Sequence, residues 1–451
     1  MSTIYVSPSE GIAGIQAAVV ALPNGGDIQL DNGDYVGESD NNGTVLDYGD
    51  ADRIHINGNG SRLLIEYSVS PGTAAIRATG AMGQPTTNIL FNDIVSGDTA
   101  ITKNVASGAS SFVPGMHLEI ESTNAITGDK DFEYNVVKTT GNDSTGVVGL
   151  RFPLTRTGST VKVFGWVGGL DNRMSNLTVV NNSSALITNL LSMENQVRFL
   201  FDDVHIDGQN SLGNTMHNGL IFSQCMDTKF RDGSVVDCEK TGMTIFNSQA
   251  LKIIHSKLRN CVKEYASTDA MIMLRTENID TLISECEFQN CASFGVASIN
   301  VGGLSRRTTI EKSFFAACAE AAIHSDLATD LHALYNTIQG GGLGINLQGN
   351  TQSRFKLIGN NLSLCGSLGI NLNGAGVVRG IVGLNTLNKI RSVAIKLQNG
   401  ASFNEVFHNI ESGSVGNGLV VGNDCNDNRF VYNQFPSGVA QGNGSNTFVG
   451  V

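Results

Sequence analysis

The apolar and polar positions between Gly219 and Val421 follow a pattern that repeats nine times. Each repeat begins with a small residue and an apolar residue, followed by a variable position and a fourth position that is usually apolar. The starts lie 22 to 28 residues apart, at Gly219, Gly242, Ala270, Gly295, Ala322, Gly344, Gly369, Ala394 and Gly418. A nearly constant period in this range predicts an architecture of stacked repeats.

A second series of small or amide residues keeps step with the first. Its members are Gly233, Ser256, Cys286, Ser313, Asn336, Asn360, Asn385, Asn409 and Asn433. Each repeat contains two or three short runs with alternating apolar positions and no helical pattern long enough for a leucine-rich or ankyrin unit. One repeat is therefore predicted to be one coil of a parallel β-helix, with equivalent strands about 4.8 Å apart. We expect the second series to form an internal ladder, in which each Asn side chain hydrogen-bonds the next coil.

The rest of the chain divides around this array. Residues 1–82 are expected to hold the first coils and a capping helix over residues 11–22, where Ile12, Ile15 and Val19 share one face. Residues 83–166 read as strands without a fixed period and predict a small inserted β-domain; six further irregular coils are the alternative. Residues 167–451 are predicted to form the main β-helix.

Composition and charge exclude several classes of function. The 451 residues include 53 Gly, and 41 Asp and Glu against 29 Lys and Arg give a net charge of −12. This balance argues against nucleic acid and against an anionic membrane surface as partners. No apolar run of 18 residues predicts a membrane span. No signal peptide is visible at the start of the sequence.

Five of the eight cysteines occupy the same place in successive repeats. They are Cys238, Cys261, Cys291, Cys318 and Cys365. Metal ligation and disulfides are two interpretations, but no C-x-x-C spacing occurs. A buried column of reduced thiols, one per coil, is favoured because free Cys is among the most buried residue types. Reduced thiols also fit assembly in a cytoplasm.

The opening coils carry a resemblance to a known family. The capping helix is followed by Gly25-Gly-Asp-Ile-Gln-Leu30, Asn32-Gly-Asp-Tyr35 and Ile56-Asn-Gly-Asn-Gly-Ser61. This order resembles the pectate-lyase-like superfamily and, within it, bacteriophage tailspikes and related polysaccharide depolymerases. The resemblance implies an all-β, right-handed parallel β-helix, a homotrimer, a bacterial surface polysaccharide (capsule or O-antigen) as partner, and a location on a virion tail or outside the cell.

Strand alternation predicts which side chains face outward in the repeated strand. Two residues past each start come Ile221, Thr244, Ile272, Ala297, His324, Asn346, Asn371, Lys396 and Val420. Four residues past come Ser223, Phe246, Leu274, Ile299, Asp326, Gln348, Asn373 and Gln398. Four coils of this face are therefore expected to be apolar, and monomers seldom leave such a patch bare. We expect another subunit or the inserted domain to cover it.

The resemblance places catalytic acids in the turn before the repeated strand. Here that turn offers Glu239, Asp269 and Glu320 as candidate catalytic carboxyls. Glycoside hydrolysis needs one carboxylic acid and one carboxylate. Glu239 and Asp269 are one coil apart, and Asp269 and Glu320 are two coils, roughly 9.6 Å, apart. Either pairing is allowed, and inversion is slightly favoured. Candidate substrate-binding residues are His217, Lys240, Lys263, Glu264, Tyr265, Arg275, His324 and Asp326.

A second interpretation of these charges is that they only solvate exposed turns. The neighbouring series Asp232, His255, Glu285 and Lys312 shows how easily a ladder of weak surface ion pairs arises. The Asp-Pro-His of mannuronan epimerases and the Asn-Thr-Asp and Gly-Asp-Asp of polygalacturonases are missing from the sequence, which makes both activities less expected.

Three functions remain. The first is a glycosidase-type depolymerase, for which no cofactor or metal is expected. The second is a lyase acting on a uronate polymer with a Lys, His or Tyr base, and with Lys, Arg or Ca²⁺ to neutralise the carboxylate. The third is a receptor-binding or structural fibre without catalysis.

Overall fold

A computed structural model describes residues 2–38, 44–49, 51–67, 74–79, 90–102, 112, 116–124, 130–142, 147–151, 153–154, 157–166, 169–183, 187–208, 218–263, 269–276, 278–298 and 305–450. The chain divides into two compact units. The first consists of Met1–Tyr48, Asp52–Ala78 and Leu170–Val451, and the second of Gly49–Ala51 and Thr79–Gly169.

The first unit is a parallel β-solenoid of about 14 turns. A regular turn contributes one strand to a 13-stranded parallel sheet and two short strands, joined by a bend, to a 24-stranded parallel sheet. We call the 24-stranded sheet sheet 1 and the 13-stranded sheet sheet 2.

The strands of sheet 1 include the long opening strands and the paired short strands of each later coil. They are Ser2–Val6, Gly26–Leu30, Asp34–Glu38, Ile54–Glu66, Arg173–Asn181, Leu200–Asp207, Lys229–Arg231, Ser234–Val236, Lys252–Ile254, Lys257–Arg259, Leu282–Ser284, Glu287–Cys291, Thr309–Glu311, Phe314–Cys318, His332–Leu334, Thr337–Gln339, Lys356–Ile358, Asn361–Ser363, Ile381–Gly383, Thr386–Asn388, Glu405–Phe407, Ile410–Ser412, Arg429–Val431 and Thr447–Val449.

The strands of sheet 2 coincide with the repeated sequence motif from residue 218 onward. They are Leu46–Asp47, Ile76–Thr79, Asn189–Glu194, Asn218–Ser223, Met243–Phe246, Ala270–Arg275, Phe294–Ser298, Ala321–Ser325, Leu343–Gln348, Leu368–Asn373, Val393–Gln398, Leu419–Val421 and Val439–Gln441. Two further short strands, Ser305–Arg306 and Ala328–Thr329, pair with each other.

The predicted helix near the start of the chain is present. A 3₁₀ turn at Pro8–Glu10 leads into the α-helix Gly11–Ala21. The helix buries Ile12, Ile15 and Val19, the three residues that the sequence places on one face. Burial of this stripe is what holds so short a helix in place, because helices of this length are marginal in isolation.

The second unit is built differently. Six strands among its described residues form an antiparallel sheet around a core that includes Phe91, Phe112 and Leu118. The strands are Leu90–Phe91, Ala100–Thr102, His117–Asn124, Lys130–Asn142, Val147–Leu150 and Gly158–Trp166.

The predicted amide ladder is confirmed at the bend of sheet 1. The Asn385 side chain donates to the carbonyl of Leu357 at 2.8 Å and to Oδ1 of Asn409 at 2.9 Å, and its own Oδ1 accepts from the backbone and side chain of Asn360. The same pattern continues to Asn433. A second ladder of Asn404, Asn428 and Asn446, which the sequence analysis did not identify, follows another corner.

The small residue at the start of each repeat is required by close packing between coils. A Cβ on Gly344 would lie 2.4 Å from the carbonyl oxygen of Gly369 in the next coil and 2.4 Å from the side chain of Leu362. Both distances are well inside van der Waals contact, so glycine is needed at position 344.

The register of sheet 2 corrects the predicted outer face. Thr244 pairs with Met273 and Phe246 with Arg275, one residue later than predicted. Ile272 and Leu274 therefore point into the core and are 0% and 1% exposed. Met273 faces outward but is 0% exposed. Of the other residues in the predicted apolar patch, Ile221 and Phe246 are half-buried, and Ile299 lies outside the described residues. The bare apolar patch is absent from the described face, and it no longer gives a reason for a second subunit.

The cysteine column is confirmed as free and buried. All eight cysteines are buried free thiols, and Cys291 and Cys318 are register partners in neighbouring coils. Burial raises the pKa of Cys286 and of Cys291 to about 12. Thiols of this kind are inert packing groups and not nucleophiles.

Candidate functional site

A continuous set of polar side chains lies on the outer face of sheet 2. Residues Ile323, Ile345 and Ile370 are register partners that point into the core. One residue further along, His324, Asn346 and Asn371 are partners on the opposite face. We call the outward residues His324, Asp326, Asn346, Gln348 and Asn371 the amide track.

His324 is fixed from both sides of its ring. The Asn346 amide nitrogen donates to Nδ1 of His324 at 2.9 Å, and Nε2 of His324 lies 2.9 Å from Oδ1 of Asp326. With Nδ1 accepting, Nε2 carries the proton that is donated to Asp326. The ring is only 5% exposed, and its Nε2 orients the carboxylate of Asp326.

Asp326 is the accessible carboxylate of the amide track. Its Oδ1 also accepts a hydrogen bond from Nε2 of Gln348 at 2.7 Å. Burial raises the pKa of Asp326, but the hydrogen bonds from His324 and Gln348 outweigh it, and the pKa lies below its ordinary value. The side chain is 29% exposed. Asp326 is therefore suited to accept hydrogen bonds from a ligand or to act as a base, and not to act as a general acid.

The network continues along the solenoid axis. Asn371 donates to Oδ1 of Asn346 at 2.8 Å, and Gln398 donates to Oδ1 of Asn371 at 3.3 Å. The amide and carboxyl groups of four successive coils are thus joined by hydrogen bonds. Such a network is rigid, because each group is held by a neighbour in another coil.

An aromatic and apolar floor adjoins the amide track. The ring of Phe294 stacks on the ring of His324, with centroids 4.4 Å apart and an angle of 17°. Phe294 belongs to a small buried cluster on this side of the sheet, with Ala270, Met273, Ala297 and Ala321. The polar groups therefore lie next to buried apolar side chains, where hydrogen bonds are stronger than in water.

The candidate acids lie at the opposite end of the same strands. Asp269 and Glu320 directly precede Ala270 and Ala321, and both of these alanines are register partners of Phe294. The two acids are therefore two coils apart, about 9.6 Å by strand spacing. Glu320 and Asp326 flank one strand and are roughly 20 Å apart, too far to act as a pair.

The two acids differ in their surroundings. Asp269 is 8% exposed, and its Oδ1 lies 3.8 Å from Nη2 of Arg275, a guanidinium that reaches back along the strand. That guanidinium also lies 6.0 Å from the ring centroid of Phe246. Glu320 is half-buried, and its carboxylate makes no ion pair or hydrogen bond with any residue that the structure describes. Glu320 is thus the more available of the two.

Of the six other candidate site residues, three lie within the described part of the chain. Glu239 and Lys263 stack in neighbouring turns, since the Lys263 amide donates to the Glu239 carbonyl at 2.9 Å. Lys240 is exposed in the same turn. His217, Glu264 and Tyr265 lie outside the described residues. Phe294 and the amides of Asn346, Gln348 and Asn371 were not among the candidates, although the three amides belong to the columns that contain His324 and Asp326.

Within the described ranges, three or more His, Cys, Asp or Glu side chains are nowhere grouped so that they could hold a metal ion. Nor does a helix of the described chain combine the length and apolar character needed to cross a membrane.

Comparison with known proteins identifies the fold. No protein-family model and no curated protein matches the chain. Among solved structures, tailspike protein gp49 of Pseudomonas phage LKA1 is similar with a TM-score of 0.63 and 14% identity, over 95% of this chain and 74% of that one. Tailspike gp61 of Pseudomonas phage phi297 gives 0.60 and 14%, over 95% and 73%. The A-module of mannuronan C-5 epimerase AlgE6 of Azotobacter vinelandii gives 0.50 and 10%, over 96% and 94%.

The class of the molecule follows from these similarities and from the solenoid. This chain is a parallel β-helix of the kind found in phage tailspikes. Identities of 10–14% establish the fold and leave the chemistry to be argued from the site.

Proposed function

We propose that this chain binds a bacterial surface polysaccharide along the outer face of sheet 2 and cleaves it, as a depolymerase of the tailspike kind. The observation that supports this most strongly is the amide track itself. Five polar side chains on three coils are held by mutual hydrogen bonds beside the ring of Phe294.

The amide track has the chemistry that a sugar chain requires. Each sugar hydroxyl both donates and accepts; a side-chain amide offers a donor and an acceptor, and an ionised carboxylate offers acceptors. The track follows the solenoid axis, so a polymer laid along it meets a similar group every coil. Because the groups are already held in place, little side-chain entropy is lost on binding.

Cleavage is assigned to the acids at the other end of the strands. In this proposal Glu320 and Asp269 are the carboxyl pair, with one protonating the leaving oxygen and the other activating water; Glu239 is the alternative partner. A separation near 9.6 Å by strand spacing lies just beyond the ~6.5–9.5 Å range for inversion and far from the ~5 Å for retention, so inversion is favoured. Lys263, Lys240 and Arg275 are proposed to hold hydroxyl or acidic groups of the substrate at this end, together with His217, Glu264 and Tyr265.

Assembly and location are part of the same proposal. The similarity to tailspikes leads us to propose a homotrimer on a virion tail. Light scattering checks the assembly: a particle of three chains is expected, and a monomer at micromolar concentration contradicts it.

The experiment is incubation with a panel of purified capsular and O-antigen polysaccharides. Reducing ends should appear without ultraviolet absorbance from unsaturated products, and Glu320→Gln should lower the rate at least a hundredfold while binding is kept. Unsaturated products would show a lyase, for which Ca²⁺ dependence would then be measured. Binding without cleavage by the wild type would show a non-catalytic fibre. Full activity of Glu320→Gln, Asp269→Asn and Glu239→Gln would overturn the site assignment.

A further inference from the structure

An open hollow lies at the bend of sheet 1, away from the strands of sheet 2. Its volume is about 580 Å³, and its lining residues come from three coils. Its lining consists of His255, Ser256, Lys257, Glu285, Cys286, Glu287, Lys312 and Phe314. We call it the bend hollow.

One wall of the bend hollow is a ladder of alternating charge. His255 Nε2 lies 2.8 Å from Oε2 of Glu285 and its Nδ1 lies 3.5 Å from Oδ1 of Asp232. Lys312 Nζ is 3.8 Å from Oε1 of Glu285, too long for a good hydrogen bond. His255, Glu285 and Lys312 are left-handed residues at the bend, with φ of 48°, 56° and 48°. Each side chain is thus directed by a strained backbone position.

The other wall contains the ammonium group of Lys257. Glu287 accepts from Arg259 at 2.8 Å and from Gln289, so its charge is already engaged. Within the described ranges, no carboxylate oxygen lies within 4.0 Å of the ammonium of Lys257. Together with the loosely held Lys312, Lys257 gives the hollow two ammonium groups with unused donors.

One aromatic side chain lines the hollow and a second lies in the coil that follows Lys312. Phe314 lines the hollow, and Tyr335 follows Lys312 in the same left-handed column, with φ of 55°. Tyr335 is 59% exposed, and a Cβ on Gly359 in the next coil would come within 2.4 Å of Cδ1 of its ring. The absence of a side chain at Gly359 thus leaves room for the ring.

We propose that the bend hollow binds a carboxylate-bearing sugar. The ammonium groups of Lys257 and Lys312 hold the carboxylate, and Phe314 and Tyr335 pack against the apolar face of the sugar ring. Ammonium groups with free donors select an anion, and an exposed ring selects a flat, partly apolar ligand such as a pyranose. This site uses no residue of the amide track, so it stands or falls independently of the proposed function.

The test uses a galacturonic acid tetramer as probe and maltotetraose as its neutral counterpart, in titration calorimetry with the full chain. The acidic tetramer should bind more tightly than maltotetraose, and rising salt should weaken it. The double variant Lys257→Gln/Lys312→Gln should weaken it about tenfold or more, and Tyr335→Ala should weaken both sugars. The exposed Lys389→Gln should leave its affinity unchanged.

Three results would overturn the proposal. The first is no binding of the acidic tetramer at 10 mM, roughly the weakest affinity that charged hydrogen bonds and one stacked ring would give. The second is equal binding of both tetramers without a salt effect. The third is undiminished binding by the double lysine variant. The substituted side chains lie on the surface, so unchanged thermal unfolding is the check that the variants are folded.

Discussion

The side-chain amide of Asn346 donates a hydrogen bond of 2.9 Å to Nδ1 of His324, and in this way one coil fixes the ring of a histidine in the coil before it. The proton on the other ring nitrogen is then directed at Asp326. Stacking of coils thus converts residues 22 positions apart into one arrangement. The same principle governs the ladder inside the solenoid and the network on its surface.

The internal ladder gives a stability prediction. Asn385→Ala removes four hydrogen bonds in the core and leaves the Leu357 carbonyl and the Asn360 side chain without their partner. We expect the free energy of unfolding to fall by roughly 2–4 kcal/mol. The matched control Asn361→Ala, at an exposed asparagine in the neighbouring strand, should change it by less than about 0.5 kcal/mol. Urea unfolding measures the free energy of unfolding of both variants. Equal losses would mean that a ladder asparagine contributes no more to stability than an exposed one.

The register of sheet 2 gives a second prediction. Ile272 is 0% exposed and points into the core in register with Val296. Ile272→Ala should therefore cost roughly 2–4 kcal/mol of unfolding free energy. Ile221→Ala, at a half-buried position on the outer face, should cost clearly less. A negligible effect of Ile272→Ala would instead support the register predicted from the sequence, in which Ile272 lies on the outer face of sheet 2.

The cysteines give a prediction about chemical reactivity. All eight are buried, and burial raises the pKa of Cys286 to about 12, so neither access nor thiolate is available near neutral pH. An aromatic disulfide reagent at pH 8 should label no thiol of the native chain and eight after unfolding. Val415→Cys, at a position 82% exposed, should add one rapidly labelled thiol. Rapid labelling of native wild-type chain would contradict the buried column.

Glu411 predicts a pH dependence of stability. It occupies a core position in register with Leu387 and is 1% exposed. Burial raises its pKa, but hydrogen bonds from Ser414 and Ser437 outweigh this and leave the pKa below its ordinary 4.5. The unfolded chain then binds the proton more readily, so this stabilisation is complete above about pH 4.5 and is lost as the pH falls through the folded-state pKa.

Thermal unfolding between pH 3 and 7 checks this prediction. Glu411→Gln should be less stable than the wild type at pH 7, and the difference should shrink as the pH is lowered. A constant difference over the whole range would show that the carboxylate of Glu411 contributes no pH-dependent stability.

Sequence reasoning was sufficient for features that recur in every coil. The ladder at Asn336 through Asn433 was predictable because a bend must satisfy buried backbone groups, and only a repeated amide does so in a stack. The thiol column was predictable for the same reason of periodicity. The register around Ala270 was predicted wrongly, because the interval from Gly242 is the longest, 28 residues, and one extra residue reverses the faces of a strand.

The site was only partly accessible from the sequence. Aligning equivalent positions of successive repeats brought His324, Asn346 and Asn371 together. The direction of each hydrogen bond, however, depends on the side-chain rotamers, which the alignment does not give. The contact of Asp269 with Arg275 joins two residues six positions apart along one strand, and no periodic pattern pairs them. Phe294 precedes a repeat start, so the motif itself gave no signal for its stacking on His324.

The most direct measurement compares two aspartates of similar exposure, Asp326 at 29% and Asp330 at 26%. Asp326 lies on the amide track, whereas Asp330 pairs with Arg354 at another corner of the coil. With whichever polysaccharide of the panel the wild type binds, Asp326→Asn should weaken binding at least tenfold, since a hydrogen bond to a charged group is worth about 1.5–3 kcal/mol. Asp330→Asn should leave the affinity unchanged. Equal affinity of the wild type and both variants would contradict binding on the outer face of sheet 2.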